Sequence, residues 1–149
     1  MNGTLEERLL RVEDQLALQA LLNDYQRFTD EGNPEGWANC WTKDAVLDRG
    51  DGSPPVIGRV ELAQNVARSI ALFKTRQHIL SNPSFTIDGD AARGTCSLLY
   101  TGTTADAGPE NYVQFGGSYR WTFRRTDEGW KIETREMQID WQRPQPGKE

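Results

Sequence analysis

Apolar residues recur along the N-terminal stretch at intervals of three and four: Leu5, Leu9, Val12, Leu16, then Leu21, Leu22, Tyr25 and Phe28. That period is helical. Thr4 followed by Glu7 is a capping-box pair, so the helix opens there, with a looser first turn before Asp14. Gly32 and Pro34 in "DEGNP" end it. Asn33 caps a second short helix, "PEGWANCW", with Pro34 at its first position and Trp37 and Trp41 on a shared face. "AVLDRG" reads as a short strand and "GDGSPPVIG" as a loop. "RVELAQNVARSIALF" is a third helix with Val60, Ala63, Val66, Ala67 and Ile70 on one side.

From Thr75 onward the period drops to two. "RQHILSNPSFTID", "AARGTCSLLYTGTT", "NYVQFGGSYRWTFRRT" and "GWKIETREMQIDWQ" read as four long strands. The tight turns "DGD" (88–90) and "TDEG" (126–129) make antiparallel hairpins of two joints, and "ADAGPE" is a longer joint. Val113, Phe115, Tyr119, Trp121 and Phe123 alternate with polar neighbours, among which Arg120 and Arg124 are solvated. In the last strand Trp130 and Ile132 are even, whereas Met137, Ile139 and Trp141 are odd, so a bulge or bend falls between 132 and 137. Gly116-Gly117 marks a second bend. Three helices followed by a sheet that bends predict an α+β fold, with helices packed on a strongly curved mixed or antiparallel sheet that encloses a pocket.

The bulk properties narrow the function. A chain of 149 residues is a single domain, 1–149, with a core over about 10–142 and a tail, "RPQPGKE", over 143–149. A net charge of −5, with no Lys/Arg stripe, argues against nucleic-acid and membrane-surface partners. Cys40 and Cys96 stand far apart without metal or redox spacing, which fits reduced thiols in a cytoplasmic protein. No cluster with metal-ligand spacing and no phosphate-cradling loop occurs, so a cofactor-free site is expected.

His78 is the only histidine, at the start of a long strand. It is either a packed ring or a proton-transfer group. Asn82 and Ser84 share its parity, with Pro83 between them, and are candidates to line a pocket beside it. Asp30 lies at a helix C-terminus, where the macrodipole disfavours an acid. Tyr25 lies on the apolar face of the same helix. Trp41, Phe115 and Tyr119 belong to an aromatic set that is mostly core and partly pocket wall.

The order of these markers resembles one family. A helix ending in "Y-x4-D", a Pro/Gly break, a Trp-bearing helix, an isolated His opening a strand, "DGD-A", "G-x-Y" and "GW-K-I-x-x-R" together look like the SnoaL-like, scytalone dehydratase-like branch of the cone-shaped nuclear transport factor fold, over roughly residues 10–142. Motifs are similar to those of bile-acid 7α-dehydratase and γ-hexachlorocyclohexane dehydrochlorinase. The resemblance implies a cystatin-like cone and a dehydratase or other lyase acting on a small hydrophobic ring compound. It places the catalytic histidine at His78, its carboxylate at Asp30, the pocket tyrosine at Tyr25 and the arginine that assists a leaving group at Arg135. The dehydratases' second acid or histidine falls in "LLYTGTT", where Thr101 stands instead and Tyr100 is the sole ionisable residue. An isomerase or cyclase using the same base therefore stays open, as does a scaffold role like that of the small subunits of ring-hydroxylating dioxygenases. The resemblance also implies a homo-oligomer, a trimer ahead of a dimer.

Overall fold

The computed structural model describes residues 3–104, 108 and 111–143; most of the joint at 105–110 and the tail from 144 onward lie outside them. The chain runs α1 (Leu5–Glu31), α2 (Pro34–Asn39), β1 (Trp41–Leu47), β2 (Val56–Ile57), α3 (Arg59–Leu72), β3 (Phe73–Asp88), β4 (Ala91–Thr104), β5 (Tyr112–Thr126) and β6 (Gly129–Arg143).

The first helix is one unbroken element. Its capping box is formed: Thr4 accepts from the Glu7 amide, and Glu7 accepts from the Thr4 amide. Such a cap contributes about 1 kcal/mol, and it lets helix begin at Leu5 rather than near Asp14. At the other end Gly32 takes φ 76°, which glycine adopts freely, and its amide returns to the carbonyls of Phe28 and Thr29. The short second helix stops at Asn39, so Trp41 opens β1 instead of sharing a helical face with Trp37. Their rings still meet, at 5.1 Å. On α3 the buried residues are Leu62 and Val66, whereas Val60 is exposed. Val56 and Ile57, expected in a loop, pair with β1.

The six strands form one mixed sheet in the order β2-β1-β6-β5-β4-β3. Only β1 and β6 run parallel; the other neighbours are antiparallel. The core lies on the face that α1 to α3 cover. Trp41, Trp121, Phe123 and Ile132 are fully enclosed there, each burial stabilising by about 2–3 kcal/mol.

Bulges give the sheet its curvature, and they also choose which residues face inward. In β6 the partner of Thr122 is Thr134 and that of Phe123 is Ile132, which leaves Glu133 as an extra residue. Inward positions switch there from Trp130 and Ile132 to Arg135, Met137 and Ile139, within the expected interval. A second shift at Gly116/Gly117 matches the expected bend. Backbones crowd at that point, since a Cβ on Gly117 would lie 1.9 Å from the Gln138 carbonyl oxygen. A third bulge was not anticipated. Asn82 and Pro83 together oppose one residue of β4, with Asn82 at φ 53°. Asparagine tolerates that region better than most residues, and proline lacks the amide a regular ladder needs.

Candidate active site

The end of α1, the start of β3 and the inner faces of β4 to β6 surround a cavity of about 460 Å³, with α3 and the loop after β1 at its mouth. That volume suits a small organic molecule. Tyr25, His78, Phe115, Tyr119 and Arg135 line it, five of the nine residues expected at the site.

His78 and Asp30 are joined at three points. The Asp30 carboxylate accepts the His78 amide at 3.0 and 3.2 Å, and His78 Nδ1 lies 2.7 Å from Oδ1. As a carboxylate Asp30 only accepts, so Nδ1 is the donor of this bond, and in the neutral ring the lone pair belongs to Nε2. The side chains are 12% and 23% exposed, which shields the pair without sealing it from the cavity. The backbone bond matters as much as the ring bond, because it locks the carboxylate to the strand that carries the histidine.

Arg76 fastens this corner. Its guanidinium donates to the carbonyls of Thr29, Ile70 and Phe73 at 3.0, 2.8 and 2.7 Å. It thereby caps the C-terminal ends of α1 and α3, where a cation is favoured. Arg76 also lines the cavity and shares the inward parity of His78, a signal that alternation along β3 contains.

Across the cavity Arg135 is 7% exposed. It donates through Nη1 to the Tyr25 hydroxyl at 2.7 Å and through Nη2 to the Asp48 carbonyl at 3.1 Å, and it stacks over Tyr119 at 4.6 Å. Among the described residues no carboxylate lies within ion-pair distance of it. A buried guanidinium without a counter-ion favours an anion placed against it. Tyr25 itself is wedged among Trp37, Trp41, Tyr119 and Trp121, with ring centroids 5.1 to 6.2 Å away, so its hydroxyl is fixed in place. Burial pushes the Tyr119 phenol well above its ordinary range.

Trp41, Asn82 and Thr101 do not line the cavity. Trp41 is fully buried behind Tyr25 and Trp37, a core residue. Asn82 is exposed, because the β3 bulge reverses parity, and Ser84 is exposed with it. Thr101 points outward because β4 alternates without a break, with Leu98, Tyr100 and Gly102 facing inward. Carried back from the hairpin pair Asp88–Ala91 without interruption, the register would set His78 against Thr101. The extra residue shifts it by one, and His78 pairs with Tyr100. Thr101 instead accepts from Gln114 on the other face of the sheet. Tyr100 turns inward, with its ring 4.8 Å from those of His78 and Phe115. Burial raises its phenol to about 12, so at neutral pH it is a neutral hydroxyl.

The mouth adds Arg49, which donates to Asn65, together with Arg68 and Ser69 of α3. Among the described residues no three His, Cys, Asp or Glu side chains gather as metal ligands would. No helix there is long and apolar enough to cross a membrane.

With this geometry in view, comparisons with known proteins supply a family. Over 138 residues the chain is 30% identical to an uncharacterized protein of Mycobacterium tuberculosis strain H37Rv, covering 89% of this chain and 91% of that one. A solved structure from Novosphingobium aromaticivorans, provisionally named an aromatic ring hydroxylase, superposes with a TM-score of 0.80 at 27% identity, covering 87% of this chain and 91% of that one. A hexachlorocyclohexane dehydrochlorinase, LinA type 2, superposes at 0.80 with 20% identity and 95% coverage of both chains, a likeness of fold. The SnoaL-like domain model matches residues 10–136. The chain belongs to the SnoaL-like domain family and has its cystatin-like cone, of the nuclear transport factor 2-like type.

Proposed function

We propose that the protein is a cofactor-independent lyase of the dehydratase type, acting on a small ring compound with an acidic C–H. The observation that carries this reading is the His78 ring, held through Nδ1 by Asp30 and bordering the cavity. Nε2 is then the base. It takes a proton from the carbon beside a carbonyl, and Asp30 stabilises the imidazolium that results. The electron pair left on carbon delocalises into the carbonyl oxygen, and Arg135 and the Tyr25 hydroxyl stabilise the charge that develops there. Collapse of the enolate expels hydroxide or another leaving group from the next carbon. The imidazolium proton is available to a departing hydroxide, so one residue serves both halves of the step. Apolar lining from Val66, Phe115 and Met137 keeps bulk water from the enolate.

Proton abstraction is testable before the substrate is known. Cyclic β-hydroxyketones are incubated in D₂O, and loss of the α-proton signal is followed by NMR while mass spectrometry records loss of water. Protein-dependent exchange with loss of water is expected. Exchange that adds deuterium without loss of water redirects the assignment to an isomerase, in which the proton returns at another carbon. Exchange that is equal in wild-type protein and the His78→Ala variant removes the proposed base.

A further inference from the structure

Helix α1 is apolar on two opposite sides. One side, carrying Leu18, Leu21, Leu22 and Tyr25, is buried against the sheet. The other carries Leu5, Leu9, Val12 and Leu16, which are 78%, 56%, 53% and 65% exposed. At about 100° per residue the second stripe points roughly 180° from the first. Its spacing of four, three and four is that of a two-helix seam, and the same spacing continues to Gln19 and Asn23.

We propose that this outer stripe docks a second copy of the same chain, the two α1 helices lying parallel and in register. Three features choose this occupant. In a parallel pair the residue before one core position faces, on the partner helix, the residue five further along. That sets Arg8 of each copy against Glu13 of the other. An antiparallel pair, with Leu5 against Leu16 and Leu9 against Val12, would instead bring Glu6 toward Glu13 and leave Arg8 against the neutral Gln15. Asn23 falls on the seam one heptad beyond Leu16, where two facing amides can bond across a parallel interface and fix its register. Among the described residues the Asn23 side chain accepts only long bonds, at 3.4 Å, from Gln19 and Gln26. Because each core lies behind its own helix, two copies approach along the stripe without their sheets colliding.

Four apolar residues and a polar extension cover less than the roughly 800 Å² per partner of a stable interface, so the dimer is reversible. Sedimentation velocity of the full chain, from micromolar to millimolar concentration, should show a monomer–dimer equilibrium. Leu9→Glu with Leu16→Glu should leave a monomer with an unchanged melting curve, since both residues are exposed. Arg8→Glu should weaken association about tenfold, and adding Glu13→Arg should restore it. Under mild oxidation a Leu9→Cys chain should link to itself, Cys40 and Cys96 being buried. An antiparallel pair would link only a mixture of Leu5→Cys and Leu16→Cys chains. A wild-type monomer at every concentration overturns the proposal, as does a dimer or trimer that survives the two glutamates. Failure of the charge swap or of the Leu9→Cys link overturns the parallel arrangement.

Discussion

Two aspartates on α1 reach across to the sheet and do different work. Near the start, Asp14 accepts two bonds from Arg125, both at 2.8 Å, and a third from the Trp130 indole at 3.0 Å. Near the end, Asp30 accepts the amide and ring N–H of His78. Asp14 is saturated by a permanently charged partner, and Arg125 is itself held by Asp90 and stacked over Trp130. Nothing in that cluster can take or give a proton near neutral pH. Asp30 holds a ring with a second nitrogen that can change its protonation. A carboxylate becomes chemical through the titratable partner it orients, more than through its own burial.

The contrast can be broken most sharply at His78. Its replacement by Ala should slow α-proton exchange about 10²- to 10⁴-fold, with the melting temperature nearly unchanged. A large stability loss at normal exchange would make Asp30 a second structural latch. Asp14→Ala should do the reverse, lowering stability in urea titration by about 2–3 kcal/mol because Arg125 loses its carboxylate, while exchange per folded molecule is unchanged. Asp30→Asn should slow exchange by about 10- to 100-fold, the ring losing the acceptor that fixes its tautomer. The smallest effect is on the pH dependence. Arg125 holds the Asp14 carboxyl below its ordinary value of 3.8. The stability it contributes is therefore complete above that value and is lost as pH falls through the lower folded-state value. Urea titrations of wild type and Asp14→Asn should differ by a constant amount from neutral pH to about 4 and converge below it.

Much of this was legible in the residues, and the parts that were not have separate physical causes. The period change near Thr75, the capping box and the two tight turns lay out an α+β cone because each is a local property. The pairing of Asp30 with His78 came through family resemblance, and the structure brings the two together. Alternation finds the inward face only while a strand stays regular. The Glu133 bulge was visible as a change of phase, although that alone did not say which way Arg135 points. The Asn82–Pro83 bulge had only a proline to announce it, and it turned Asn82 out; Tyr100 stood on the inward parity of β4 throughout, and Thr101 on the outward one. Trp41 was misplaced for a different reason: helix and strand were indistinguishable at the junction after Cys40.

The β3 bulge also bears on where the proposed base can stand. It works like a reading frame for the strand, setting which face of the sheet the histidine takes. Deleting Asn82 alone would make the ladder regular, with Pro83 opposite Cys96, and His78 would keep Tyr100 as its partner. Straightening the strand with Asn82 still in it would instead set His78 against the outward-facing Thr101 and turn the ring away from the cavity. One extra residue, remote from the chemistry, thus decides whether the proposed base stands inside or outside.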